Sequence, residues 1–293
     1  MFKLLTILLL GSGIAMAQPA PSSPEARQAE SLAAWRAAQG VATSGPAAIP
    51  LRDQATLQLP KGMVFIPQAE ATRVSRALGN TPGPSLVGMV TTFEPDDDWI
   101  VLIRWVAEGY VRDDEAADIK PDAVLEDLRA GTVEGNKDRI ERGFPELAIT
   151  GWTQPPRYDQ PTHRLSWAMG VKLKDEADDA ASINFNTRAL GRNGYFGLNL
   201  ISDVATIDKN RAVSATLLSN LDFNAGAGYA DFNPSTDKVA EYGLMALLGV
   251  VAAKKLGLIA LAGVFVLKFA KIGLLAVAGV GLAIRRFFGR KTS

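Results

Sequence analysis

The sequence predicts an α+β fold in which helices pack on an antiparallel β-sheet, followed by a C-terminal transmembrane helical segment. Three observations lead to this prediction. After Gly143, four strand-like segments follow one another with hairpin-length connections, which is typical of antiparallel pairing. Other segments carry apolar residues at helical spacing, and these helices would cover the sheet. Near the C-terminus, a long apolar segment ends in a basic cluster.

The first half of the domain is predicted to contain four strands and a helix. Residues 55–59 alternate in polarity, and 62–66 form a short apolar run. Residues 68–78 have the apolar spacing of a helix. Two further strands, 86–93 and 99–106, follow on either side of an acidic turn.

The longest helix of the domain is predicted at 121–140. Its apolar residues recur at helical spacing with charged residues opposite them. These residues are Val124, Leu125, Leu128 and Val133.

The second half is predicted to form four strands, 147–153, 163–173, 181–190 and 195–201, and a final helix, 203–221. The third of these strands alternates clearly in polarity. It has apolar residues on one side and polar residues on the other, and the polar set is Asn184, Asn186 and Arg188. We therefore expect that face to be open to solvent.

The composition excludes several kinds of site. The 293-residue chain has no cysteine, so it has no disulfide, no thiolate nucleophile and no cysteine-ligated metal. His163 is the single histidine, which excludes a multi-histidine metal site. No phosphate-binding loop or dinucleotide fingerprint is present. We predict no metal and no cofactor.

Charge is divided unequally along the chain. Residues 18–242 contain 22 basic and 31 acidic residues, whereas residues 243–293 contain eight basic residues and no acidic one. An acidic body argues against nucleic acid as a partner, because that affinity comes largely from Lys and Arg. A basic, apolar tail instead predicts a lipid bilayer as partner.

The N-terminus has the pattern of a cleaved signal peptide. Residues 1–17 combine Lys3, a short apolar run and the cleavage site Ala15-Met16-Ala17. Residues 18–50 are rich in Ala, Pro, Ser and Gly, and we interpret them as a linker with a short amphipathic helix at 25–39. The folded periplasmic domain is predicted at 51–233.

The C-terminus has the pattern of a single membrane span. We predict a juxtamembrane segment at 234–255, a transmembrane helix at 256–284 and a basic cytoplasmic tail at 285–293. Lys268 and Lys271 lie near the middle of the span and oppose its insertion. Two alternatives remain open, namely two separate helices or a helix buried in a soluble core.

These patterns together predict a location in the bacterial inner membrane, with the domain in the periplasm and the C-terminus in the cytoplasm. Gly249, Ala253 and Gly257 are spaced four residues apart, which would let a second helix approach closely. Self-association through this tail is therefore a further partner hypothesis.

An ordered series of motifs gives the chain a family resemblance. They are Leu57-x-Leu59-Pro60-x-Gly62, Gly109-Tyr110-Val111, Gly151-Trp152-x-x-Pro155-Pro156-x-Tyr158-Asp159, Thr162-His163-x-Leu165-x-Trp167, Arg188-x-Leu190-Gly191-Arg192 and Tyr229-Ala230-Asp231-Phe232. Together they closely resemble the bacterial family of predicted membrane-anchored proteins known as domain of unknown function 2167, over about residues 49–290. The resemblance implies a signal-bearing, membrane-attached protein and brings no activity. The order of elements also resembles the PsbP/Mog1-type sandwich, as a likeness of fold only.

The strongest candidate for chemistry is an aromatic patch with one acid-base pair. Trp152, Tyr158 and Trp167 could stack a ring or a sugar, while His163 and Asp159 could transfer a proton. The alternative is a structural hairpin loop in which the aromatic residues pack on the sheet and His163 bonds to Asp159 or to the backbone.

The second candidate is a pair of arginines near a strand-to-strand turn. Arg188 and Arg192 could hold a carboxylate or a phosphate. Alternatively, Arg188 pairs with an acidic residue across the sheet. The acidic runs 96–98 and 113–115 could bind a divalent cation, but they lack the spacing of a calcium loop, and a solvated surface is the simpler interpretation.

These observations favour a non-enzymatic periplasmic domain that binds or scaffolds. An envelope enzyme that uses His163 and Asp159 on glycan, lipid or peptide is the alternative from another class. A channel or oligomeric assembly formed by the glycine-rich tail is the third hypothesis.

Overall fold

The computed structural model describes residues 23–94 and 97–248. These residues form four α-helices and eleven β-strands. The helices are α1 (Pro24–Val41), α2 (Gln68–Ala77), α3 (Pro121–Glu141) and α4 (Ile207–Ser219). The strands are β1 (Thr43–Ser44), β2 (Ala47–Leu51), β3 (Ala55–Leu59), β4 (Val64–Pro67), β5 (Leu86–Thr91), β6 (Ile100–Val106), β7 (Leu147–Asp159), β8 (Arg164–Leu173), β9 (Ser182–Gly191), β10 (Gly194–Asp203) and β11 (Leu221–Phe223).

The strands form one large and one small antiparallel sheet. The eight-stranded sheet has the order β1-β4-β5-β6-β10-β9-β8-β7, and the three-stranded sheet has the order β11-β3-β2. Every strand pair within them is antiparallel. The predicted α+β class with an antiparallel sheet is confirmed. The pairing of β6 with β10 places residues 100–106 beside a strand almost a hundred positions later in the chain.

One face of the large sheet is apolar and is covered by the small sheet and α4. In the middle of this face, β10 contributes Phe196, Leu198 and Leu200, which are buried against residues such as Leu57 and Leu217. Each such side chain contributes roughly 1.5–3 kcal/mol to stability when it is fully removed from water. This layer is the main hydrophobic core of the domain.

The opposite face carries the other helices in two separate groups. On the β4–β6 side, α1 and α2 bury Trp35 and Val74 against Met89 and Leu102. On the β7–β8 side, the partly buried Leu125 of α3 packs on a second apolar cluster. That cluster consists of Leu147, Ile149, Met169 and Val171. Between the two groups, β9 and β10 present polar residues that lie beside Arg104 of β6 and Trp167 of β8. We call this region the polar centre of the sheet, and it consists of Arg104, Trp167, Asn184, Asn186, Arg188, Gly197 and Asn199.

The structure corrects the interpretation of residues 18–50 as a linker. The predicted helix is present as α1, but Ala34, Trp35 and Ala38 on it are fully buried. The strand β2 ends at Leu51, so the boundary predicted there cuts through the small sheet. An alanine-rich composition resembles a linker, yet it also allows close packing of a helix, and the pattern alone does not distinguish the two.

The C-terminal boundary at 233 is also earlier than in the structure. Tyr110 forms a bridge with Val239, and Ala240, Leu244 and Leu247 are buried against the domain. Residues 234–248 therefore belong to the folded unit. Several predictions lie outside the described residues. They are the signal peptide predicted at 1–17, the span predicted at 256–284, the basic tail, and the row Gly249, Ala253 and Gly257. Within 23–94 and 97–248, no helix combines the length and apolar character needed to cross a bilayer.

The solvent-facing prediction for β9 is wrong. Asn184 and Asn186 are 0% and 1% exposed, and Arg188 is only partly exposed. Alternating polarity shows which residues share a face, but it does not show what covers that face.

On α3, Val133 is 66% exposed, because it lies nine residues beyond the buried Val124, about two and a half turns along the helix.

Candidate functional site

The predicted site residues fall into two clusters on the helix-bearing side of the sheet. We call the first the aromatic corner, and it consists of Tyr110, Asp113, Tyr158, His163 and Tyr229. We call the second the arginine pair, and it consists of Arg104 and Arg188. The aromatic corner joins segments that are far apart in sequence. The β6–α3 connection packs there against the β7–β8 turn.

Backbone geometry at the β7–β8 turn sets the direction of the histidine. His163 has a φ of +50°, a left-handed conformation that is uncommon for residues other than glycine. Its backbone N–H donates to the carbonyl of Gln160, and its carbonyl accepts from the N–H of Leu190. The first bond closes the turn, the second attaches it to β9, and together they fix the backbone that carries the imidazole.

Asp113 joins the tyrosine and the histidine of the aromatic corner. The Tyr158 hydroxyl donates to Asp113 Oδ2 over 2.5 Å. The same hydroxyl oxygen lies 3.3 Å from His163 Nδ1, which is 3.5 Å from Asp113 Oδ2. The Tyr158 hydroxyl uses its one hydrogen in the bond to Asp113, so its oxygen can only accept from His163. A hydrogen bond between the two therefore requires a proton on Nδ1. Burial, and then the bond to Asp113, raises the pKa of Tyr158.

Aromatic stacking fills the space around this set. The imidazole lies on the Tyr229 ring, with 4.1 Å between centroids, and Tyr229 stacks on Tyr110 at 4.4 Å. Tyr110 in turn stacks on Phe232 at 3.8 Å. The Tyr229 hydroxyl donates to the carbonyl of Val111 over 2.9 Å. The corner is thus a packed, hydrogen-bonded unit.

The structure does not bring the predicted acid-base pair together. The Asp159 carboxylate accepts a hydrogen bond from the Thr162 hydroxyl and is exposed to solvent. Asp113 is the carboxylate that faces His163 instead. In the sequence, Asp113 stands out only as part of an acidic run. Its contact with His163 leaves no local pattern, because the two residues are fifty positions apart.

The chemistry available at the corner is limited. Throughout the described part of the chain, the imidazole has hydrogen-bond or ion-pair contacts with Tyr158 and Asp113 only. A raised pKa keeps Tyr158 protonated, so it is a poor nucleophile. The set can share protons internally, but it holds no activated nucleophile.

The arginine pair is created by the register of three neighbouring strands. Gly197 of β10 lies directly opposite Arg104 of β6 on one side and opposite Arg188 of β9 on the other. Gly197 has no side chain, so a notch separates the two arginine positions. A methyl group added at Gly197 would lie 3.1 Å from Nη1 of Arg188. The Arg188 guanidinium therefore occupies the space above Gly197, and the notch lies between it and Arg104.

Each guanidinium makes few contacts with the protein. Arg188 lies over the Trp167 ring, 4.8 Å from its centroid, and its Nη1 donates a long 3.3 Å bond to the carbonyl of Thr187. Nε of Arg104 is buried and has no hydrogen-bond partner in the described structure. Burial, and then the charge of Arg188, lowers the pKa of Arg104 to about 10. Arg104 is still cationic at neutral pH.

Two further polar groups of the polar centre lack partners. Asn199 donates to the Oδ1 of Asn186 over 2.9 Å, but its own Oδ1 accepts no bond from any residue in 23–94 or 97–248. Trp167 is 3% exposed, and its indole N–H is likewise unpaired among these residues. Buried polar atoms without partners are rare in folded proteins, and each one calls for an explanation.

The two arginines that the sequence grouped together have different surroundings. Arg192 is bound by Asp237 through two hydrogen bonds, Nε to Oδ2 at 2.7 Å and Nη2 to Oδ1 at 2.8 Å. This contact, followed by a backbone N–H from Asn233, lowers the pKa of Asp237. Arg192 thus ties the β9–β10 turn to the C-terminal segment, whereas Arg188 has no acidic partner among the described residues. Trp152 donates to the carbonyl of Pro121 over 3.1 Å and holds the start of α3.

The acidic runs considered for a cation have other contacts. Asp98 accepts bonds from the Thr206 hydroxyl and the Asn210 amide, and Asp97 pairs with Lys209. In the described ranges, no three His, Cys, Asp or Glu residues cluster as a metal would require. Asp96 lies outside those ranges.

Comparisons with known proteins identify a family and bring no activity. A family model described as "Protein of unknown function (DUF2167)" matches residues 43–279. No curated protein matches the chain. The chain is similar to the solution structure of cyanobacterial PsbP (CyanoP) from Synechocystis sp. PCC 6803, with a TM-score of 0.36 and 10% identity over 62% of this chain and 91% of that chain. A similarity of this size carries no information on function.

Proposed function

We propose that this chain, which belongs to the DUF2167 family of proteins of unknown function, is a membrane-anchored envelope protein of bacteria whose domain acts by binding and not by catalysis. The domain faces the periplasm. A single helix at 256–284 crosses the inner membrane, and the basic tail at 285–293 lies in the cytoplasm. The lipid bilayer is then the first partner of the protein.

One observation carries the preference for binding over catalysis. The single histidine of the chain is engaged by Tyr158 and Asp113 and stacked on Tyr229. An enzyme built on His163 and Asp159 would need those two groups in contact, and Asp159 bonds to Thr162 instead. The polar centre has the opposite character. Within 23–94 and 97–248, Arg104 and Arg188 form no ion pair, and Nε of Arg104, Oδ1 of Asn199 and the indole N–H of Trp167 have no hydrogen-bond partner.

The support for anchoring comes from the sequence. The family match continues beyond the described domain to residue 279 and so includes most of the proposed span. Basic residues follow that span, as expected for a cytoplasmic end, and the N-terminal pattern is that of an export signal.

The test of anchoring is a protease-protection experiment on the full chain. A reporter that works only in the cytoplasm is placed after Ser293, and protease is added from the periplasmic side. We expect the domain to be digested while the reporter stays active in the membrane fraction. A soluble protein, or a reporter outside the cytoplasm, would contradict the proposed topology.

The test of the non-enzymatic role uses His163→Asn. Asparagine tolerates the left-handed backbone at this position but has no acid-base group, so the variant separates folding from chemistry. Purified wild-type and variant proteins are incubated with extracted envelope glycans, lipids and peptides, and the products are compared by mass spectrometry. We expect identical product profiles. A product that only the wild type forms would show that the protein is an enzyme.

A further inference from the structure

We infer that Arg104 and Arg188, together with Trp167 and Asn199, form a binding site for a phosphate dianion or a phosphate monoester. This inference rests on the proposed binding role of the domain and names the class of its ligand. The site is the notch over Gly197, at the polar centre of the large sheet.

The two arginines lack acidic partners in the described structure. Neither guanidinium forms an ion pair within 23–94 and 97–248, whereas the nearby Arg192 has Asp237. The rest of the chain offers almost nothing in exchange, because Asp96 is the one acidic side chain outside the described residues. An anion that binds between the arginines would therefore be supplied by another molecule.

The close approach of Arg104 and Arg188 lowers the stability of the fold. Two like charges that share a partly desolvated site destabilise the fold, and paired or apolar residues at these positions would not. The pKa of Arg104 is consistent with this penalty, because burial and then the charge of Arg188 lower it. A dianion between the two guanidinium groups would replace the repulsion with two attractive, charge-assisted contacts.

The groups around the two arginines fit a phosphate better than other anions. Arginine forks match the tetrahedral oxygens of phosphate, and two positive charges match a dianion better than a single carboxylate. The indole N–H of Trp167 is a further unpaired donor, and Asn199 Oδ1 is an unpaired acceptor one position along the same face of β10. Hydrogenphosphate brings both acceptor oxygens and a hydroxyl that can donate to Asn199, whereas sulfate has no hydroxyl. A phosphate monoester carries such a hydroxyl only in its monoanionic form, and its dianion offers acceptor oxygens alone.

The experiment titrates inorganic phosphate into the full chain in detergent micelles and measures binding by calorimetry. Arg104→Gln and Arg188→Gln are compared with Arg211→Gln, which removes the same charge from an exposed position on α4. We expect each site variant to bind roughly ten- to a hundredfold more weakly, since each loses hydrogen bonds to a charged group. The control should bind like the wild type, and sulfate should bind more weakly than phosphate.

A steric variant guards against effects of misfolding. Gly197→Val keeps both charges and displaces the Arg188 guanidinium from its place above residue 197, and valine suits a strand. We expect phosphate binding to be lost while the circular dichroism spectrum is unchanged. The inference is overturned if wild-type protein binds no phosphate, or if the arginine and notch variants bind it as the wild type does.

A last arm separates two sources of the same group. Micelles containing phosphatidic acid, a phosphate monoester lipid, replace inorganic phosphate in the titration, and phosphatidylglycerol micelles serve as the diester control. If the protein binds inorganic phosphate but not phosphatidic acid, the ligand is a free phosphate. If it binds phosphatidic acid as well, the site accepts a lipid headgroup. Binding of neither overturns the inference. Purified protein binds phosphate irrespective of its orientation in the cell, so a failure here and a failure of the topology experiment are distinguishable.

Discussion

The two faces of the large sheet use the same strands for different purposes. On β10, the side chains of Phe196 and Leu198 point into a continuous apolar core. The alternating positions, Gly197 and Asn199, lie on the opposite face, at the polar centre. The apolar face stabilises the fold through buried area. The polar centre contains unpaired donors, an unpaired acceptor and two close cations, all of which oppose folding. Residues that oppose folding are expected where function requires them.

The largest effect should come from the apolar face. Phe196→Ala removes a fully buried ring that lies 4.6 Å from the Trp105 ring, and we expect the free energy of unfolding to fall by about 3–5 kcal/mol. Urea unfolding followed by tryptophan fluorescence measures the loss. A fall below about 1 kcal/mol would mean that this face is not the principal core.

The Arg192–Asp237 contact should give stability that depends on pH. The folded-state pKa of Asp237 lies below its ordinary value of 3.8, so the carboxylate stabilises the fold above that value and loses this contribution as the pH falls below it. We expect the urea midpoint of the wild type to fall more than that of Asp237→Asn between neutral pH and about pH 3. Parallel curves for the two proteins would show that the pair does not stabilise the fold.

The aromatic corner should show a moderate effect. Tyr158→Phe removes the hydroxyl that donates to Asp113, and we expect a loss of about 1–2 kcal/mol. The loss is limited because Asp113 remains partly exposed and can be hydrated. Chemical unfolding of Tyr158→Phe, Asp113→Asn and the double variant forms a cycle, and additive losses would rule out coupling between the two groups.

The smallest effect should come from the exposed side of α3. Val133→Ala changes a side chain that is 66% exposed, and we expect stability to stay within about 0.5 kcal/mol of the wild type. The same unfolding experiment provides the comparison. A larger loss would mean that another surface covers Val133 in the full protein.

Local patterns were sufficient for most elements of the fold. The strand β9 and its partner β10 follow from alternation and a short turn, and α3 follows from its periodic apolar residues. The family resemblance read from scattered motifs is confirmed. The helix α1 was also found, but its packing was not, since the spacing of small residues does not reveal whether another layer covers them.

The sites were harder to predict because they depend on contacts between distant segments. His163 and Trp167 were singled out as candidates for a site, but the residue that faces His163 comes from fifty positions earlier in the chain. Arg188 was considered together with its sequence neighbour Arg192, although its partner across the sheet is Arg104 of β6. That pairing depends on which strand lies beside β10, and no short pattern encodes the order of strands.

The most direct test of the polar centre is thermal unfolding of wild-type protein and Arg104→Met, each measured with and without phosphate. Methionine keeps the apolar part of the side chain and removes one of the two close charges. Without phosphate, we expect the variant to unfold at the same or a higher temperature than the wild type. With phosphate, only the wild type should be stabilised, because only it keeps the complete site. A variant that is less stable without phosphate and responds to it as the wild type does would show that Arg104 serves the fold and binds no anion.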